Sequence, residues 1–255
     1  MLSLFAEERH EEIMKMVRQD KSVKVSDLMK WFKKSFETIR RDLIYLENQG
    51  LLTRVHGGAV IEEVNSRELS FTVRESKYLK GKEEIANKAT NYVVEGQSIA
   101  LDVSTTNTEF AKVLKKNFTR LTVLTNSMVI ANELSDMPDY TIIFVGGVLR
   151  NKELCTVGNF AEDFIGQFHI DIFFMSVSGI SLTKGLTDYG TGELQVKKKM
   201  KEIVQHKIVL ADSSKFDVVS LLNVCPLYEI DRIITDSKIN KNTLEKYIDA
   251  GIEVI

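Results

Sequence analysis

From residue 98 onward the chain alternates short, unbroken apolar runs with helix-length amphipathic segments, and this alternation restricts its fold more than any other feature. The runs are SIALDV (98–103), LTVLT (121–125), TIIFVGG (141–147), DIFFMSVS (171–178), KIVLAD (207–212) and DRIITD (231–236). A strand with one face in water alternates apolar and polar residues, so continuous runs of Val, Ile, Leu and Phe need cover on both faces. Helical patterns at 82–94, 107–116, 127–135, 159–168, 192–204 and 241–250 supply that cover, and a short IEVI piece ends the chain. The expectation is an open, mostly parallel α/β sheet with helices on both sides. Ligands of such sheets bind at the carboxyl ends of the strands, near a switch in strand order.

Those ends carry the informative residues. Strand 98–103 ends in Asp102 and runs into Ser104-Thr105-Thr106-Asn107, which opens a helix. Hydroxyls beside free helix-terminal amides suit a phosphate; the same hydroxyls are ordinary helix caps, and alone this stretch reads more readily as a cap. The following strands end in Thr125-Asn126-Ser127, in Gly146-Gly147, near Ser178-Gly179, and in Asp212-Ser213-Ser214-Lys215. Five ends carrying small, hydroxylic or charged groups favour a polar-ligand pocket over unrelated turns. The KKKMK run at 197–201 reads as a solvated basic helix face with Leu194, Met200, Ile203 and Val204 inward, Lys197 alone reaching toward the pocket. His10, His56, His169 and His206 show no metal-ligand spacing, so neither a metal nor another cofactor is expected.

Residues 1–60 read as a separate, smaller unit. Ser35 is a good N-cap, and the helix after it places Phe36, Ile39, Leu43 and Leu46 on one stripe. Glu37, Thr38, Arg41, Tyr45 and Asn48 occupy the opposite face, with Arg40 on the flank. Gly50 supplies a stop, and 51–60 form two extended pieces turning at Gly57-Gly58. A helix at 3–18, with Leu4, Ile13, Met16 and Val17 as core contacts, comes first. A short helix capped by Ser26-Asp27 follows, running through Leu28, Met29, Trp31 and Phe32 to a turn at Lys33-Lys34.

Helices followed by a β-wing predict a winged helix-turn-helix whose 35–48 helix enters the DNA major groove. Charge agrees: residues 21–60 hold eight Lys/Arg against four Asp/Glu, a local +4 in a chain of net −2. Ser35, Glu37, Thr38 and Arg41 lie at the helix end that reaches base edges, while Lys33, Lys34 and Arg40 suit phosphates. Arg54 and His56 sit in the wing, where His56 is equally suited to a phosphate contact and to a plain surface role. Residues 61–81 are polar without a sustained period and read as a linker, with one extended piece around Leu69 to Val73. That leaves 82–255 for the α/β domain.

TIRRDL (38–43), LExxGLL (46–52) and RVHGGA (54–59), in that order and spacing, resemble the amino-terminal signature of the DeoR family of bacterial transcription regulators. Lys82-x-x-Ile85-Ala86, Thr125-Asn126-Ser127, Gly146-Gly147, Gly185-Leu186-Thr187 and Asp212-x-Ser214-Lys215-Phe216 are similar to its sensor domain. The resemblance covers nearly the whole chain. It implies a fold similar to ribose-5-phosphate isomerase and the sugar-phosphate deaminases, a phosphorylated sugar as effector, and Asp102, Thr105, Thr106 and Lys215 at ligand-contacting positions. Two departures stand out. Family members usually carry Gly and an apolar residue where this chain has Lys33-Lys34, which bears on the tight turn. They also carry Gly before the paired threonines, where this chain has Ser104, which bears on the phosphate loop.

The remaining numbers narrow the class. At 255 residues, 44% hydrophobic and 27% charged, the composition is that of a globular protein. The start turns acidic before a signal-peptide core develops, and no run approaches the roughly 18 apolar residues of a membrane helix. Cys155 and Cys225 have no CxxC partner and read as reduced thiols, so a soluble cytoplasmic protein is expected. The leading expectation is a DNA-binding regulator, a repressor of sugar-metabolism genes, that binds operator DNA as a homo-oligomer and responds to a phosphorylated sugar. The runner-up is an isomerase or deaminase on the same fold, which requires a carboxylate base over the substrate. A purely structural module leaves the basic helix and the strand-end rim without a use.

Overall fold

The computed structural model describes residues 6–20, 22–48, 51–55, 57–60 and 71–255. The chain divides into two compact units, one of residues 1–67 with 76–78, the other of 68–75 with 79–255.

The first unit contains α1 (Ala6–Asp20), β1 (Ser22–Lys24), α2 (Val25–Phe32), α3 (Phe36–Asn48), β2 (Thr53–Val55) and β3 (Gly58–Val60). β1 and β2 both pair antiparallel with β3, so the wing has a third strand that the sequence did not announce. Gly58 makes this possible, since a Cβ there would collide with the Val23 carbonyl. Ile13, Val17, Leu28, Ile39, Leu43 and Leu46 form the core with Leu52 and Ala59. Asp42, at the edge of the apolar stripe beside Ile39 and Leu46, is buried against Arg9, with Nε–Oδ2 2.5 Å and Nη2–Oδ1 2.8 Å, and His10 Nε2 lies 2.9 Å from Oδ1. Two expectations are corrected. α2 begins at Val25 with no side-chain cap, so Ser26 and Asp27 lie inside its first turn, where Asp27 complements the helix dipole. Phe36, expected on the inward stripe, is 52% exposed, because the core contacts of α3 begin only at Ile39.

The second unit opens with α4 (Phe71–Ser76), α5 (Leu79–Ala89), β4 (Ser98–Leu101), α6 (Thr105–Asn117), β5 (Thr122–Thr125), α7 (Met128–Leu134) and β6 (Thr141–Phe144). A hairpin of β7 (Val148–Arg150) and β8 (Cys155–Val157) leads through α8 (Asn159–Ile165) to β9 (Ile170–Ser176). Then come β10 (Gly179–Ser181), β11 (Gly185–Asp188), α9 (Thr191–Glu202), β12 (Val204–Leu210), β13 (Leu222–Cys225), β14 (Arg232–Ile234) and α10 (Lys241–Asp249). The linker expected through residue 81 therefore ends earlier. Residues 71–76 are helical where an extended piece was expected, with Phe71 buried, and 61–70 lie outside the described residues.

Six strands form the expected sheet in the order β14-β12-β9-β4-β5-β6, with every neighbouring pair parallel. Alternate residues of each strand enter different cores. Ile99, Leu101, Ile172 and Phe174 pack with Ile85, Phe110, Leu114 and Ile130 of α5, α6 and α7. Ala100, Phe173, Met175 and Val209 pack with Ile165, Val196 and Met200 of α8 and α9. Both faces are covered, which is why the runs read as continuously apolar. The chain builds outward from β4 to β6, then restarts on the other side of β4 with β9 and builds outward to β14. The strand order thus switches between β4 and β9. The terminal IEVI extends the β14 edge through a parallel bridge from Val254 to Ile233.

Candidate functional site

The switch point puts the carboxyl ends of β4 and β9 side by side, where α/β sheets hold ligands. α6 starts directly after β4. Ser104, with φ −165°, caps it by accepting from the Asn107 amide at 2.9 Å. That is extended backbone any residue adopts, so the loop does not need the family's glycine, and serine serves as cap instead. Thr105 and Thr106 fill the first turn, both buried, and their hydroxyls make no hydrogen bond among the described residues. The turn at 213–215 follows β12. Asp212 caps it through the Ser214 amide at 3.0 Å and leaves Lys215 half-buried, with no carboxylate in ion-pair range among the described residues.

Lys82, on α5, is a candidate that sequence reasoning placed only in a motif. It is 3% exposed, and its ammonium donates to backbone carbonyls alone, Arg74 O at 2.5 Å and Glu75 O at 3.4 Å. Burial lowers its pKa to about 8; Asp212 works against the lowering, while Lys215 and Arg74 add to it. Two lysines without a carboxylate partner therefore share one corner of the rim. Arg74 in turn pairs with buried Glu153.

The other candidates are placed differently. Asp102 is buried beneath the rim, accepting from Asn107 Nδ2 at 2.7 Å and from the Ser176 amide at 3.1 Å. Its Oδ2 lies 3.0 Å from Lys197 Nζ without an aligned hydrogen bond, and the same ammonium pairs with Asp188 and donates to Ser176 O. Burial alone would lower Lys197, but the two carboxylates raise it above the ordinary lysine value; burial pushes the Asp102 carboxyl up while Asp188 is held down by Lys197. Lys197 is thus a buried linchpin of the two sheet halves, and the expected solvated run is itself only partly exposed, with Lys198, Lys199 and Lys201 half-buried and Lys201 paired with Glu229.

Asn126 is buried and ties two backbones, accepting from Val103 N at 3.1 Å and donating to Thr156 O at 3.0 Å. Ser127 is the buried cap of α7. Gly179 is required by packing, since a Cβ would meet Val218 O at 2.5 Å. These three, expected at the ligand, spend their polar atoms or their space on the fold. Gly146 is exposed with open space around it, and Gly147, at φ +147°, is held against β8.

On the first unit, Ser35 Oγ accepts from the Thr38 amide at 3.4 Å and meets Thr38 Oγ1 at 3.0 Å, fixing the start of α3. Lys33, Glu37, Arg40 and Arg41 are exposed there, with Arg40 3.7 Å from Glu37. Lys34 is partly buried. Lys33 takes φ +51°, ψ +43°, so the tight turn survives without glycine. Arg54 is drawn onto Glu47, Nε to Oε2 at 2.7 Å, and His56 lies outside the described residues.

The family comparisons follow this division. The model of the DeoR C-terminal sensor domain matches residues 77–237, and that of the DeoR-like helix-turn-helix domain matches residues 9–65. The chain belongs to the DeoR family of transcriptional regulators. This DeoR protein is 34% identical over 251 residues, 98% of each chain, to the HTH-type transcriptional regulator GolR of Listeria innocua. It is 34% identical over 250 residues to a putative aga operon transcriptional repressor of Escherichia coli O157:H7, covering 97% of this chain and 93% of that one. It is 30% identical over 247 residues, 97% of each chain, to the glycerol-3-phosphate regulon repressor of Escherichia coli K12. Its acids fit a regulator better than an isomerase: Asp102, Asp188 and Asp212 are each committed to an ion pair or a cap. Among the described residues no helix is long and apolar enough to cross a membrane, and no His, Cys, Asp and Glu group is placed to hold a metal.

Proposed function

We propose that this DeoR protein represses sugar-metabolism genes in the cytoplasm, binding operator DNA as a homo-oligomer, and that a phosphorylated sugar at the switch point sets its operator affinity. The observation that carries the effector reading is the corner formed by the α6 N-terminus, the Thr105 and Thr106 hydroxyls, Lys215 and Lys82. An ammonium is a compact cation with three donors, and two of them lacking carboxylate partners leave a charge that a phosphate would satisfy. The names of the aga and glycerol-3-phosphate repressors support the same reading.

α4 gives the coupling a physical route. Chain coming from the DNA-binding unit enters the sensor through α4, which Lys82 holds by the Arg74 carbonyl. A phosphate drawing on Lys82 competes with that carbonyl, so ligand and α4 share one ammonium. The ligand shifts operator affinity only if it binds the two states differently. Sequencing duplexes retained by the purified protein, with and without a panel of sugar phosphates, tests both parts. The effector half fails if calorimetry finds a neutral sugar binding as tightly as its phosphate.

A further inference from the structure

The sensor domain leaves two strand edges open, and they follow each other in the chain. Among the described residues β6 pairs only with β5, and β7 only with β8. The other edge of β8 is taken, by a bridge between Cys155 and Ser127 and by the Met128 amide, which donates to Leu154 O at 2.9 Å. The outer strand β7 therefore keeps a row of amides and carbonyls without strand partners. Proteins guard such edges with charge or proline. The run Phe144-Val145-Gly146-Gly147-Val148-Leu149 contains neither.

The surface around this edge is apolar. Val148 and Leu149 are exposed, as are Phe144, Met128 and Leu154, and Phe160 at the start of α8 is 81% exposed. Packing joins them into one patch. Gly147, at φ +147°, admits no side chain, because a Cβ would meet Val157 O at 2.7 Å and Ala161 Cβ at 3.1 Å. It seats the hairpin on α8 and sets Val148 beside Gly158, two residues before Phe160. These six side chains, each more than a third exposed, present roughly 600 Å² of apolar surface, the upper limit for a monomer. A dimer contact of ordinary size covers roughly 800 Å² on each partner.

Charge decides the occupant. Arg150 and Glu153, which flank the strip, are paired within the chain, with Glu193 at 2.6 Å and with Arg74. A phosphate backbone or an acidic peptide finds no cationic row along it, whereas a copy of the same neutral strip meets it without repulsion. Lys152, exposed at the hairpin tip, fixes the direction. Antiparallel pairing about a two-fold axis sends the two tips to opposite ends, each toward the other copy's α8, which carries Glu162 and exposed Asp163. Parallel pairing would set the two lysines side by side.

We infer that β7 pairs antiparallel with β7 of a second copy, about a two-fold axis beside Leu149, and joins the two hairpins into one four-stranded sheet. The inference rests on the proposed homo-oligomer and names the surface that makes it. Glu153 of the same hairpin holds Arg74 of α4, so this contact adjoins the proposed route between effector and DNA-binding unit.

The test uses the full-length protein in sedimentation equilibrium. Leu149→Lys should raise the dissociation constant of the multimer by about tenfold or more, the effect of losing a central interface residue. Leu149→Cys gives an independent readout. Facing Cα atoms in an antiparallel pair lie about 5 Å apart, within reach of a disulfide, so mild oxidation should join most of this variant into covalent dimers. The native Cys155 and Cys225 are buried and do not compete. Ile248→Cys, on the exposed side of α10, should remain a single chain on the same denaturing gel. The inference is overturned if Leu149→Cys gives no more covalent dimer than Ile248→Cys. It is also overturned if Leu149→Lys, folded by circular dichroism, keeps the multimer of the unaltered protein undiminished. An unaltered protein that sediments as a monomer would instead refute the homo-oligomer, and the inference with it.

Discussion

Lys33 holds the turn between α2 and α3 in a left-handed conformation that costs a residue with a Cβ about 1–2 kcal/mol. Glycine relieves that strain but adds freedom to the unfolded chain, which offsets part of the gain. Lys33→Gly should therefore stabilise the DNA-binding unit by about 1 kcal/mol in denaturant unfolding, read from the fluorescence of Trp31, the single tryptophan. If Lys33 meets a phosphate, the same variant should flatten the slope of log affinity against log salt by about 0.9. Asp42 makes the opposite case. Burial alone would raise its carboxyl, but the hydrogen bonds from Arg9 and His10 hold it below the usual aspartate range. Its folded pKa is lowered, so its contribution is present above the unfolded value and is lost as pH falls through the folded one. Asp42→Asn should cost about 3 kcal/mol at neutral pH, because the charged hydrogen bonds that Arg9 and His10 make to the buried carboxylate are lost. Acid titration of the variant's stability should lack the corresponding step.

At the scale of elements, the proposed effector site is a meeting of α5, the start of α6 and the turn after β12. Lys82 ties α5 to α4 and carries a pKa lowered to about 8 by burial. Between that value and its ordinary 10.5 the unfolded chain binds more protons, so stability should rise with pH across this window. Effector binding should show the reverse dependence. A phosphate is already fully ionised there, with a second pKa near 6, and needs Lys82 charged. Affinity for a sugar phosphate should fall as pH rises from 7 to about 9, and calorimetry at pH 8 should register proton uptake. Lys82→Met should bind more weakly and lose the uptake. An unchanged pH profile in that variant would remove Lys82 from the site.

For the whole molecule, one short helix reads too few bases for an operator, so symmetric multimers are the expected binding form. A ligand-dependent change in operator affinity of roughly 1–3 kcal/mol must be matched by an equal change in effector affinity caused by operator DNA. Titrating sugar phosphate into the free protein and into its operator complex checks this equality directly. Thr105→Ala and Lys215→Ala should keep operator binding and lose the response to sugar phosphate. A variant that no longer binds the effector yet still responds to it would refute the coupling.

Apolar periodicity is a local property, and it alone determined which segments become strands, that both sheet faces are covered, and that a winged helix-turn-helix precedes the sheet. Turn and cap chemistry also acts over a few residues, which is why Ser35 and Ser104 were legible as caps, whereas Ser127, expected at the ligand, caps α7. The small sheet of β10, β11 and β13 and the helix at 71–76 were not legible, because their segments are short and gain order only by packing on the larger unit. The tertiary structure also decided which polar residues are free. Lys197 was expected to reach toward the pocket, but folding set it between Asp102, just past β4, and Asp188 of β11. Asn126 and Gly179 were absorbed by backbones distant in the chain, and Lys82 was left without a carboxylate. Sequence spacing specifies faces, whereas the pairing of charges depends on which ends the fold brings together.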